Sequence, residues 1–123
     1  MTIAFWCIFV AGLLPYAVFS FAASKLENGM PRLAARNLEG LPARAYAAHQ
    51  NHFEAFPYFA AAVLVAHLAE GPSVTVNWLA LAFIAVRIGH SAAYLANIPP
   101  VRSACFSIGL LLTIAIFIHA ALH

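Results

Sequence analysis

Arg87, His90 and Tyr94 place a permanent cation, an imidazole and a phenol in a stretch, Val74 to Ala96, that is otherwise apolar enough to cross a bilayer. At 100° per residue the three fall within about 60° of one another on a helix. A second stretch repeats the pattern: Arg44, Asn51 and Glu54 fall within about 80°, with Ala47 on the same stripe and Gln50 at its border. A charge in hydrocarbon costs about 2.5 to 3.5 kcal/mol on insertion scales, so such groups usually face a bundle interior or a wet cavity. Two stripes of this kind describe either a polar seam that hydrogen-bonds helices together or a binding site built inside the bundle. Arg102 and Ser103, at the head of the last apolar stretch, add a further cation and a hydroxyl.

His49 and His52, with Glu54 nearby, raise the question of a metal. Their i, i+3 spacing brings two imidazoles close, but a third ligand must come from elsewhere, and only His90 is placed to converge. No metal is expected from this pattern. His67 and His119 read as helix-end residues in the headgroup region, and Tyr16, Tyr46 and Tyr58 as packing or interface aromatics. Cys7 and Cys105 lie in apolar segments without zinc or redox spacing and read as small buried hydrophobes.

The elements that carry these residues follow from composition. A 64% hydrophobic and 8% charged chain, with a mean hydropathy of +0.88, is an integral membrane protein, since soluble domains carry roughly a quarter charged residues. At about 20 residues per crossing, 123 residues hold one domain of at most four spanning helices. The expected helices are about 2–24, 44–68, 74–96 and 100–122. The apolar core of the second, Ala55 to Ala66, is too short to span alone, so this helix must begin near Ala43 to Tyr46 and carry His49 to Glu54 at membrane depth. Ser20-Phe21-Ala22 resembles a cleavage site, but the first segment lacks a basic flank and its apolar run is too long for a signal peptide; a retained helix is expected. Pro100 suits the first turn of the fourth helix, and Asn77 and Trp78 fit an interface anchor.

Loop charge sets the expected topology. The first loop carries Lys25, Arg32, Arg36 and Arg44, the second has no Lys or Arg, and the third is bordered by Arg102. The positive-inside rule makes the first and third loops cytoplasmic and puts both termini opposite, which brings both polar stripes into one leaflet. The alanine-rich composition is compatible with a bacterial inner membrane. The net charge of +2 and the absence of a Lys/Arg-rich run give no support to nucleic-acid binding, and no nucleic-acid partner is expected.

The segment from Arg44 to Phe59, with Asn51, Glu54 and Pro57, resembles the second helix of the MAPEG family, the membrane-associated proteins of eicosanoid and glutathione metabolism. The run from Val86 to Ser103, with Arg87, His90, Tyr94 and Arg102, is similar to the third helix and following loop of the microsomal prostaglandin E synthase and microsomal glutathione transferase branch. The resemblance covers nearly the whole chain. It implies a homotrimer of four-helix subunits that binds glutathione between neighbours and acts on an apolar or lipid second substrate by transfer, peroxide reduction or isomerisation. It further implies that Arg44, Asn51, Glu54, Arg87, His90 and Tyr94 line the glutathione pocket. Arg102, Ser103 and Tyr94 would then serve the thiol, with Lys25 loosely matching a basic residue of relatives.

The chemistry is coherent, because a thiol of pKa about 8.5 is mostly protonated at neutral pH and a nearby cation or hydroxyl favours the attacking thiolate. Ala47 and Gln50 depart from the pattern, standing where glutathione-binding relatives commonly carry arginines. That departure supports the alternative of a non-enzymatic family member that binds a lipid or supports a partner complex.

Overall fold

The computed structural model describes residues 1–23 and 37–123. Among the described residues the all-α, four-helix membrane architecture expected from the sequence is what folds: α1 spans Ile3–Ala23, α2 Gly40–Glu70, α3 Val74–Leu95 and α4 Pro99–Leu122. Each is long and apolar enough to cross a membrane. Lys25, Arg32 and Arg36, which carry most of the topology argument, lie outside the described residues.

α2 starts earlier than its apolar pattern suggests. Pro42 falls in the first turn, where a missing N–H has no helical partner to lose, and Gly40, at φ 64°, makes the bend into the helix. The 31 residues of α2 measure about 46 Å at 1.5 Å per residue. That exceeds a hydrocarbon core of about 30 Å, so α2 extends past the membrane.

α2 and α3 form the centre of the bundle, each packing on the other and on both outer helices, while α1 and α4 lie diagonally opposite. Lipid is as apolar as a leucine side chain, so helices in a bilayer gain from close packing rather than from escaping water. Small residues supply that packing here. Ala4, Cys7 and Ala11 of α1, Ala62, Val63 and Ala66 of α2, Ala80 of α3 and Ala120 of α4 belong to one buried cluster. At the centre the rings of Phe59 and Phe83 stack at 3.9 Å with a 3° interplanar angle. Large apolar side chains such as Trp6, Phe9, Leu68, Trp78 and Leu111 face outward.

Polar contacts fix the helix ends. The Ala4 N–H, an orphan of the first turn of α1, donates to Asn77 Oδ1 at 2.9 Å, so Asn77 joins two helices while Trp78 remains exposed. Ser73 caps α3, its hydroxyl accepting from the Val76 N–H at 3.4 Å. At the other end of α3 the Ile98 N–H bonds to the Ala93 carbonyl and the Asn97 N–H to the Tyr94 carbonyl, with Asn97 at φ 58°. This is a Schellman ending with asparagine in the left-handed position. Pro99 and Pro100 then open α4.

Candidate functional site

Arg87 is the centre of the polar interior. It projects from α3 toward α2, is only 2% exposed, and donates through Nη2 to Asn51 Oδ1 at 2.7 Å and to His52 Nδ1 at 3.2 Å. Because guanidinium only donates, His52 Nδ1 accepts. The other nitrogen, Nε2, therefore carries the proton and donates to the Ser91 hydroxyl. Asn51, Arg87, His52 and Ser91 thus form one chain of hydrogen bonds between α2 and α3.

Two atoms of this interior are buried without a partner, Arg87 Nε and His90 Nδ1. Among the described residues no carboxylate pairs with Arg87. A buried unsatisfied polar atom costs about 1 to 3 kcal/mol, and a buried cation without an anion costs more.

Next to this interior lies a polar cleft of about 320 Å³ lined by Asn51, His90, Tyr94, Arg102, Ser103, Phe106 and Ser107. Three helices build it. Asn51 comes from the middle of α2, His90 and Tyr94 from the last turns of α3, and Arg102, Ser103 and Ser107 from the first turns of α4. The sharp α3–α4 turn is what returns Arg102 to Tyr94, and its Cζ stands 4.8 Å from the ring centroid in a cation–π contact. His90 also packs against Tyr94, with ring centroids 5.4 Å apart.

A second cavity, of about 240 Å³ and mostly apolar, adjoins the first through Phe106. Glu54, Tyr58, Phe83, Arg87, Gly109 and Thr113 are among its walls.

The sequence-derived set therefore divides. Asn51, His90, Tyr94, Arg102 and Ser103 share the polar cleft, and Glu54 and Arg87 line the apolar cavity beside it. Arg44 lines neither of them. Its Nε and Nη2 both donate to the Leu95 carbonyl at 3.3 Å, a cap on the last turn of α3 that also complements the helix dipole. Ala47 is half-buried and Gln50 exposed, and the Gln50 amide donates to the Tyr46 hydroxyl at 3.0 Å along α2. Lys25 lies outside the described residues.

His49 and His52 point to different neighbours. His49 Nδ1 donates to the Pro15 carbonyl of α1 at 2.8 Å, within a ring cluster of Phe19, Phe53 and Tyr46, while His52 faces α3. Ser91, Phe106 and Ser107 were missed in the sequence. The i, i+3 and i, i+4 spacing from Ser103 to Phe106 and Ser107 was the available signal for the last two.

With this geometry in view, the profile of the MAPEG family matches residues 3–122. The chain belongs to the MAPEG family. It is thus an integral multi-pass membrane protein of the family named for glutathione and eicosanoid metabolism, and the match takes in all four helices. No curated protein and no solved structure matches the chain.

Proposed function

We propose that this MAPEG protein is a glutathione-dependent, or similar thiol-dependent, membrane enzyme that acts on apolar electrophiles. The observation that carries the reading is the convergence of Asn51, His90, Tyr94, Arg102 and Ser103 on one polar cleft beside an apolar cavity. At about 320 Å³ the cleft is at the small end of ligand pockets, which run from about 300 to 1,000 Å³. Its donors suit an anionic peptide, and the unpaired Arg87 Nε and His90 Nδ1 lie beside it.

When bound, glutathione would supply a thiolate that displaces a leaving group such as halide or adds to an activated double bond in conjugation, cleaves the O–O bond with a second thiol completing the disulfide in hydroperoxide reduction, and is released again in isomerisation. Asn51, His90 and Tyr94 would hold and orient the peptide. Arg102, held over the Tyr94 ring, would supply the positive charge that favours the thiolate, and the Ser103 hydroxyl would donate a hydrogen bond. The apolar cavity would take the second substrate out of water.

We infer a homotrimer as well. Glu54, a wall of the apolar cavity, is exposed in the single subunit, at the middle of a helix that crosses the membrane. A carboxylate turned to lipid is expensive, and a neighbouring subunit would cover it. The motif likeness to the prostaglandin E synthase and glutathione transferase branch and the loop charges support a cleft opening to the cytoplasm. Bacterial origin rests on the alanine-rich composition.

The test is calorimetry of glutathione with detergent-purified protein, wild type against Arg102→Ala, paired with conjugation of an activated aryl halide. Saturable binding with turnover that falls in the variant is expected. Absence of binding at millimolar glutathione would overturn the proposal. It would favour the second reading, a lipid-binding or complex-supporting member, toward which Ala47 and Gln50 point.

A further inference from the structure

At the opposite end of the bundle from the polar cleft, Glu70, His119 and His123 present ligand atoms that all lie within 4.8 Å of one another. We propose that these three residues form a binding site for a divalent transition-metal ion of the zinc class, which nothing in the thiol chemistry of the cleft requires.

The set is built by two helix ends. His119 and His123 stand at i, i+4 on the last turns of α4, the spacing that puts two imidazoles on one helical face, and their ring centroids are 4.3 Å apart. Glu70 is the last residue of α2, and its Oε1 approaches His119 Nε2 to 3.0 Å. Two histidines and one carboxylate are a zinc donor set that leaves a position open for water or another ligand.

Two further observations favour an ion over a simple histidine–carboxylate contact. Glu70 Oε1 is buried and, despite the short approach, receives no hydrogen bond of acceptable geometry. A buried carboxylate oxygen in that position is costly unless a cation meets it. His123 Nδ1 is 3.0 Å from the His119 carbonyl. A carbonyl only accepts, so Nδ1 carries the proton and Nε2 keeps its lone pair, the outer-shell arrangement that metal-ligating histidines use.

Ligand distances of about 2.0 to 2.2 Å imply separations near 3.4 Å between tetrahedral donors. The set must therefore contract by roughly 1 to 1.5 Å from its widest spacing, which rotation of the exposed His123 ring can supply. Binding would tie the end of α2 to the end of α4.

The experiment is cobalt(II) titration of the full chain in detergent, purified without a histidine tag, read by visible absorption and by zinc competition. Wild-type protein should bind one ion per chain with the intense bands of a four-coordinate site, and zinc should displace it and raise the thermal midpoint. His123→Ala, at an exposed position, and Glu70→Gln should each weaken binding at least tenfold and abolish the thermal shift. His49→Ala, which leaves the set intact, should bind as the wild type does. Sub-stoichiometric binding by the wild type, or full binding retained in His123→Ala, would overturn the proposal.

Discussion

The Arg102 guanidinium stands 4.8 Å from the centroid of the Tyr94 ring, so a cation from the first turn of α4 is held by the last turn of α3. Cation–π contacts at partly exposed sites contribute about 0.5 to 1 kcal/mol, enough to bias a long side chain toward one position. If that cation stabilises a thiolate, Arg102→Ala loses a charged hydrogen bond of about 1.5 to 3 kcal/mol. The expected result is a fall of roughly 10- to 150-fold in kcat/KM, with glutathione affinity changed much less. Ser103→Ala, which removes a neutral donor, should cost about 2- to 10-fold. Steady-state kinetics with an apolar electrophile checks both, and an unchanged Arg102→Ala rate would remove Arg102 from the thiol.

Arg87 has a different kind of importance. Arg87→Met keeps much of the side-chain volume but leaves Asn51 Oδ1 and His52 Nδ1 without the donor they now share. Orphaning these acceptors is costly but removing a buried cation without an anion offsets part of it, so a net loss of about 1 to 3 kcal/mol is expected, visible as a lower thermal midpoint in detergent even where no ligand is present.

Ser91→Ala removes the acceptor of the His52 Nε2–H and should cost about 1 to 3 kcal/mol, the price of one buried unsatisfied donor. Because both residues belong to one hydrogen-bond chain, the Arg87→Met, Ser91→Ala double variant should lose less than the sum of the single losses. Additive losses would mean that the chain does not act as a unit.

Asn97 tests the α3–α4 turn. Its left-handed conformation, φ 58°, costs an ordinary L-residue roughly 1 to 2 kcal/mol. Asn97→Gly should therefore match or exceed the wild-type thermal midpoint, and Asn97→Ala should lower it. Since this turn returns Arg102 to Tyr94, Asn97→Ala should also lower turnover.

Much of this was legible in the residue pattern. Four apolar segments separated by Gly and Pro punctuation define four helices, because a bilayer leaves a buried backbone few other choices. The stripe of Arg87, His90 and Tyr94 faces the interior, as its periodicity requires. Periodicity gives a face but no partner. Nothing in the spacing of Arg44 shows that it ends on the Leu95 carbonyl, because that contact depends on where α3 stops. Likewise, His49 and His52 are close along α2, yet one meets α1 and the other α3, a divergence set by the two neighbouring helices. The early start of α2 was hidden by Pro42, which reads as a loop signal but is tolerated in a first turn. Glu70 and His119 come together only through the packing of α2 on α4.

The division of the polar cleft among α2, α3 and α4 has a consequence for biogenesis. Helices enter the bilayer in the order of translation, and Arg102, Ser103 and Ser107 belong to the last of them. A nascent chain lacking α4 carries Asn51, His90 and Tyr94 but neither the Arg102 cation nor the two serine hydroxyls of the cleft, so the cleft is completed only after synthesis is nearly finished. Chains released early would then be inserted yet unable to assemble the cleft, leaving membrane quality control to recognise a polar face that its last helix never covered.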